Sequence, residues 1–270
     1  MQLSKEYYAA FMEQGFVTVE NFYPDEKRDR IAAALRRIMP PWEDLEDNPP
    51  EGGMLRDDFP YEEQLFNELI LCPDLVSFVQ RILDTEEIHF RYAHNWTRYP
   101  NGPKDPRLHQ DNGNNSLLPP CNDVRYGQIS TWYFPENVPE DQAPMMVIPK
   151  KYGDDISKGI KLSVSGGTQM IFNTFLWHTA TPFEASEGQR YSLTRIYGRA
   201  DHYWEGVGHY TQVGHDPHFR EFIAGLNAAD RQLFRFPPPD NPYYTRQTLA
   251  ALEEQYPGWN VHGEYRANDE

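Results

Sequence analysis

The 270-residue chain predicts a mainly β fold, an antiparallel sandwich or barrel with helices packed outside it. Three observations carry this. Short runs rich in β-branched and aromatic residues recur between residues 88 and 197. The 23 Pro and 18 Gly break the chain into many turns. Helical patterns fall in the first and last thirds only. An apolar content of 39%, with 14% aromatic residues, can fill a sizeable core. The length suits one catalytic domain, with a helical part over 1–85, a strand-rich core over 86–200 and a C-terminal extension over 201–270.

Each element has a local cause. Ser4 caps a helix over 5–14 that Gly15 ends, and Phe16-Val17-Thr18-Val19 reads as a strand. Pro24 suits the first turn of a second helix, with Asp25 and Glu26 at its positive end and Arg36 and Arg37 at its negative end. Ile31, Leu35 and Ile38 form its apolar face, and Pro40-Pro41 stops it. The acidic, Pro- and Gly-rich stretch 42–60 reads as loop, and helices follow near 62–71 and 74–83 about Pro73. Strands are expected at 88–99, 126–134, 145–148, 161–164, 168–173 and 190–197. Pro237-Pro238-Pro239 then separates a segment at 217–234 from a helix near 245–255.

Charge and cysteine content exclude several functions. With 25 Lys plus Arg against 41 Asp plus Glu, the formal charge of -16 repels nucleic acid and anionic membrane surfaces. Cys72 and Cys121 are too few and too far apart for a disulfide framework or a zinc ribbon. No stretch has the length of a membrane span or the apolar region of a signal peptide, so a cytoplasmic location is expected. The partner implied is a small-molecule substrate.

His109-Gln110-Asp111 sets an imidazole and a carboxylate two residues apart, on one side of an extended chain. Alone this pair fits a surface loop. His178 lies 69 residues on, after the apolar run 170–177, and a sandwich can bring it alongside the first two. Two imidazoles and one carboxylate leave three open positions on iron, the pattern of non-haem Fe(II) oxygenases. A bidentate 2-oxo acid takes two of them and O2 the third. Arg190, 12 residues after His178, opens a strand in which Ser192 and Thr194 share its face. Its planar guanidinium suits the distal carboxylate of 2-oxoglutarate.

These residues resemble the phytanoyl-CoA dioxygenase-like family of Fe(II)/2-oxoglutarate oxygenases. The segment 11–22 is similar to that family's opening helix and strand, and His109-Gln110-Asp111-Asn112 to its HxD motif. Residues 128–149 are similar to its strand, acidic turn and Val-Ile-Pro stretch, and His178 followed by Arg190 to its second motif. The tail 235–244 with Tyr256-Pro257-Gly258 is similar to that of bacterial members. The resemblance implies a double-stranded β-helix (jelly roll, cupin-like) with flanking α-helices, Fe(II), and release of succinate and CO2. Two departures, Pro149-Lys150-Lys151-Tyr152-Gly153-Asp154 and Gly167-Thr168, fall on no ligand position, and the acyl-CoA substrate class does not carry over.

Further candidates surround this set. The strand 88–99 presents His89, Arg91, Asn95, Thr97 and Tyr99 on one face and Phe90, Tyr92, His94, Trp96 and Arg98 on the other, and one face reaches the pocket. Thr97 and Arg98 are candidate co-substrate contacts, Arg98 falling where relatives hold 2-oxoglutarate or substrate with a basic residue, though a surface ion pair also fits it. Trp132 either packs beside the co-substrate or is core. Lys150 and Lys151 steer an anionic substrate or are exposed turn lysines. His209, His215, Asp216 and His218 form a weaker rival metal cluster, and His202 with Tyr203 and Trp204 is a candidate pocket rim. The expected reaction is hydroxylation of a small organic molecule. Desaturation, epimerisation, cyclisation or epoxidation by the same cofactors is the rival outcome, and a non-catalytic metal-binding sensor the rival of another class.

Overall fold

The computed structural model describes residues 3–104, 107–111, 123–202 and 214–268. Ser4 accepts a hydrogen bond from Tyr7 N and Gly15 takes a left-handed φ of 85°, so α1 (Lys5–Gln14) starts and stops at its cap residues. After β1 (Phe16–Val19), α2 (Asp25–Ile38) begins just past Pro24. It buries Ile31 and Leu35, but Ile38, expected on the same apolar face, is the last residue of the helix and 42% exposed. Helices α3 (Gln64–Glu68) and α4 (Pro73–Leu83) complete the first third, with Pro73 at the first turn.

The stretch expected to be loop contains a strand, β2 (Met54–Asp58). The remaining strands are β3 (Ile88–Arg98), β4 (Ile129–Phe134), β5 (Met145–Val147), β6 (Ile160–Leu162), β7 (Thr168–Asn173), β8 (His178–Ala180) and β9 (Arg190–Arg199). They form a six-stranded sheet in the order β1-β7-β4-β9-β3-β2 and a three-stranded sheet in the order β6-β5-β8. All these pairings are antiparallel. Met145, Val147 and Leu162 of the small sheet pack with Phe134, Met170 and Phe172 of the large one, so the sheets face each other in the jelly-roll arrangement.

The register decides what each residue of the large sheet can do. Arg98 pairs with Arg190, Trp96 with Ser192, His94 with Thr194 and Tyr92 with Ile196, while Trp132 pairs with Thr194. These even-numbered residues therefore turn toward the small sheet. Their odd-numbered neighbours turn to the helices: Tyr191 donates to Met39 O at 2.9 Å, Tyr197 to Ile70 O at 2.7 Å and Arg195 to Phe66 O at 3.3 Å. A register shift between Phe90 and Tyr92 changes the alternation expected for β3. Phe90 pairs with Tyr197 and packs on Phe59 and Phe234, so it does not share the face of Tyr92.

The C-terminal part folds as α5 (Pro217–Gly225), α6 (Ala228–Leu233), α7 (Arg246–Gln255) and a short α8 (Val261–Glu264). Arg231 holds it together from a fully buried position. It pairs with Glu264 at 2.5 Å, donates to Ile223 O at 2.9 Å and lies 3.9 Å from the Trp259 ring centre. Arg231→Ala would strand a buried carbonyl and lose the ring contact. It is expected to lower stability by about 3 kcal/mol, read as a lower urea midpoint.

Candidate active site

His109, Asp111 and His178 converge, with one donor atom of each lying within 4.8 Å of the others. His178 opens β8 and is 3% exposed. His109 reaches it through an isolated antiparallel bridge, in which His109 N donates to His178 O and His178 N to His109 O, both at 3.0 Å. The two imidazoles are oriented in the same way. Nδ1 of His109 lies 2.6 Å from Arg107 O and Nδ1 of His178 lies 2.8 Å from Leu176 O. A carbonyl can only accept, so each Nδ1 carries the proton and each Nε2 is left with its lone pair. Both Nε2 atoms lie 3.5 Å from Asp111 Oδ1.

Two nitrogens and one carboxylate oxygen around one point are a donor set that could hold a divalent iron. The electrostatics fit a cation. Burial would raise the Asp111 carboxyl, but in the metal-free protein protonation of the facing His109 and His178 imidazoles outweighs it and holds the group well below the usual carboxylate range, and a cation held by the deprotonated Nε2 atoms would take the place of those protons. The carboxylate in turn pulls His109 upward. Among the described residues this is the one cluster of three such side chains with ligand geometry. In the rival set Asp216 caps α5, accepting from His218 N and Phe219 N at 2.9 and 3.1 Å, and His209 lies outside the described residues. Asn112, Cys121, Tyr203 and Trp204 also lie outside them.

The three residues line a cavity of about 640 Å³ between the sheets. Its large-sheet wall carries Arg56 of β2, Tyr92, His94, Trp96 and Arg98 of β3, Trp132 of β4 and Arg190, Thr194 and Ile196 of β9. Arg190 is 2% exposed, donates through Nη1 to Ala143 O and keeps Nε buried without a partner. Burial, with Arg98 beside it, pushes its guanidinium down to about 9, still cationic at neutral pH. Its Cζ lies 5.9 Å from the Trp132 ring centre, and the Trp132 indole donates to Ser130 Oγ at 3.1 Å. Ser192 and Thr194 also have buried hydroxyls with no partner. Unsatisfied donors grouped about a buried guanidinium are what an anionic, acceptor-rich co-substrate would complete.

Several expected residues lie elsewhere. Thr97 turns to the helical side, where its hydroxyl meets Met39 Sδ at 2.7 Å, so it does not line the cavity. The alternation along β3 fixes this, since Arg98 and Trp96 take the cavity face. Lys150 donates to Met12 O and Lys151 lies 4.9 Å from the Tyr152 ring centre, both beside a second cavity. His202 stacks on Tyr126 at 5.3 Å, away from the cavity lining. The sequence reading missed Arg56 as a wall residue and placed Tyr92, His94 and Trp96 on one face of β3 without choosing that face for the cavity. The position of Arg98 was the signal for the last three, because residues 92, 94 and 96 share its face.

A family model described as phytanoyl-CoA dioxygenase (PhyH) matches residues 11–190. A search of curated proteins returns no significant match. Among solved structures, HygX from Streptomyces hygroscopicus with nickel and 2-oxoglutarate bound is 14% identical with a TM-score of 0.57, covering 74% of this chain and 89% of that one. The 2-oxoglutarate-dependent epimerase SnoN from nogalamycin biosynthesis is 13% identical with a TM-score of 0.57, covering 73% and 82%. The carbocyclase SnoK from the same biosynthesis is 15% identical with a TM-score of 0.54, covering 74% and 85%. No described helix is long and apolar enough to cross a membrane. With two thirds of its length matched by that family model, the chain belongs to the phytanoyl-CoA dioxygenase family of non-haem iron, 2-oxoglutarate-dependent oxygenases.

Proposed function

We propose that this chain oxidises a C–H bond of a small organic molecule, with iron held by His109, Asp111 and His178 and 2-oxoglutarate anchored by Arg190. The observation that carries the reading is the convergence of two bare Nε2 atoms and one carboxylate beside a buried guanidinium in a single cavity. Bound iron and 2-oxoglutarate supply the oxidising power, one oxygen atom of O2 ending in succinate and the other in a hydroxylated product, with loss of CO2.

The protein's part is to bind, orient and exclude water. Arg107 O and Leu176 O fix the tautomers and ring planes of the two histidines. Arg190 takes the distal carboxylate in parallel charge-assisted bonds, Ser192 adds a hydroxyl from the same face, and Trp132 packs alongside. Arg98, paired in register with Arg190, adds a second positive charge at that end. The aromatic wall of Tyr92, Trp96 and Trp132 keeps bulk water from the reacting centre. Epimerase and carbocyclase structures among the relatives favour a second outcome of the same chemistry, in which substrate placement diverts the oxidised intermediate from hydroxylation.

Two tests follow. Anaerobic Fe(II) protein should turn lilac when 2-oxoglutarate is added, the charge-transfer sign of a chelated 2-oxo acid, and should release succinate on exposure to air. No colour with the iron retained would refute the co-substrate reading. Second, Asp111 leaves no coordination position for a halide once the 2-oxo acid and O2 are counted. Product formed in concentrated chloride should therefore carry no chlorine, and a chlorine isotope pattern in its mass spectrum would remove Asp111 from the ligand set.

A further inference from the structure

Along β3, away from the arginine pair, the same cavity wall contains a second group of polar side chains with unused hydrogen-bonding capacity. Arg56 of β2 pairs in register with Trp96, and its guanidinium lies 5.3 and 5.4 Å from the ring centres of Tyr92 and Trp96. Its Nε donates to Asp58 Oδ1 at 2.6 Å, and the Tyr92 hydroxyl donates to the same oxygen at 3.2 Å. Two rings and one carboxylate thus hold the guanidinium, while Nη1 and Nη2 make no hydrogen bond among the described residues. Beside it His94 is only 7% exposed, packed on Tyr92 and Trp96 at 4.9 and 4.7 Å, and both its ring nitrogens are buried without partners. Trp96 Nε1 is likewise buried and unpaired.

The buried, unpaired nitrogens of His94 and Trp96 each cost about 1–3 kcal/mol that a ligand would recover, while the Arg56 side chain is 40% exposed and its terminal nitrogens are open to solvent or to a ligand. Burial, reinforced by the charges of Arg56 and Arg195, keeps His94 neutral, so it offers one donor and one acceptor. The Asp111 charge acts on it in the opposite sense, and His94 is thus within electrostatic reach of both Arg56 and the candidate metal ligands. The sign of the cavity is also informative. The chain carries 41 acidic against 25 basic residues, yet three arginines and one carboxylate, Asp111, line this space. An Fe(II) ion cancels a 2-oxoglutarate dianion, and Asp111 cancels Arg190. Asp58 offsets Arg56 only in part, since the pair is exposed and engages Nε alone, and Arg98 lies at the co-substrate end beside Arg190. The positive side chains thus outnumber the negative ones, which favours an anion over a cation.

We propose that the primary substrate is a carboxylate-bearing small molecule. Its carboxylate is bound by Arg56, an adjoining polar group is bound by His94 and Trp96 Nε1, and the carbon to be oxidised faces His109, Asp111 and His178. This rests on the reading of those three residues and Arg190 given above. Arg56 is preorganised for the purpose, since its Nε and ring contacts leave the two terminal nitrogens as a fork for a planar anion.

The test is calorimetric binding to anaerobic Fe(II) protein saturated with 2-oxoglutarate. The probes are hydrocinnamate, hexanoate and decanoate, each against its primary amide, with hexylamine and phenyl phosphate alongside. The carboxylates should bind about tenfold or more tightly than their amides. Arg56→Gln should abolish that preference, and His94→Phe should weaken carboxylate binding, with 2-oxoglutarate affinity unchanged in both. Binding of none of the acids, equal binding of acids and amides, a preference for hexylamine or phenyl phosphate, or a preference that survives Arg56→Gln overturns the proposal. The lilac colour in the same samples separates the two readings. Its absence removes the iron and 2-oxoglutarate assignment, whereas colour without carboxylate preference removes the substrate class alone.

Discussion

His178→Ala is expected to abolish succinate formation and to weaken iron binding by more than about 100-fold, the scale already reached when only an outer partner of a ligand is lost. The side chain is 3% exposed and supplies one of three converging donors, so no neighbouring side chain can replace it. His109→Ala should behave in the same way. In both variants β8 keeps its backbone pairing with β5, and far-ultraviolet circular dichroism should match that of the unaltered protein. Full iron content by elemental analysis, together with normal succinate release, would overturn the ligand assignment.

Arg190→Ala should separate co-substrate binding from metal binding. A distal carboxylate that loses a buried charge-assisted partner loses about 3 kcal/mol or more, so the 2-oxoglutarate requirement should rise over 100-fold while iron affinity stays within a few-fold. Binding of 2-oxoglutarate should raise the melting temperature of the unaltered protein, and the variant should lose most of that rise. Equal 2-oxoglutarate affinity in variant and parent would refute the assignment. Arg195 cannot take over, since it turns to the helices and donates to Phe66 O.

The sequence revealed the architecture where each local signal had one reading. Ser4 and Gly15 delimit α1, and the apolar, β-branched run 168–173 is β7 to the residue. β2 was hidden because Met54-Leu55-Arg56-Asp57-Asp58 has the charge of a loop, and its strand character comes from pairing with β3. β8 was hidden because three residues are too short to show a period. The metal-ligand candidates were legible, since His109, Asp111 and His178 are chemically specific wherever the sheets place them. The cavity wall was less so. Thr97 and Arg98 were both candidate contacts although they fall on opposite faces of β3, and Asn95 and Thr97 are buried on the helical side while the aromatic residues turn to the cavity with Arg98. Polarity alone could not choose the face, because the ligand-lined side is largely aromatic and the helix-packed side contains buried polar groups.

The reciprocal pair of backbone bonds between His109 and His178 has a consequence for how the site is assembled. Two of the three donors sit on residues that are direct partners across a strand bridge, so the spacing of their α-carbons is a property of the main chain. A metal arriving at such a site finds its bite already set and has only one carboxylate to recruit. Loading should then proceed in a single kinetic phase whose rate scales with metal concentration, without a slow folding step. It also means that a proline at either bridge position would remove a donor N–H and spread the two imidazoles apart. The site therefore depends on its hydrogen-bonding main chain as well as on the ligand side chains.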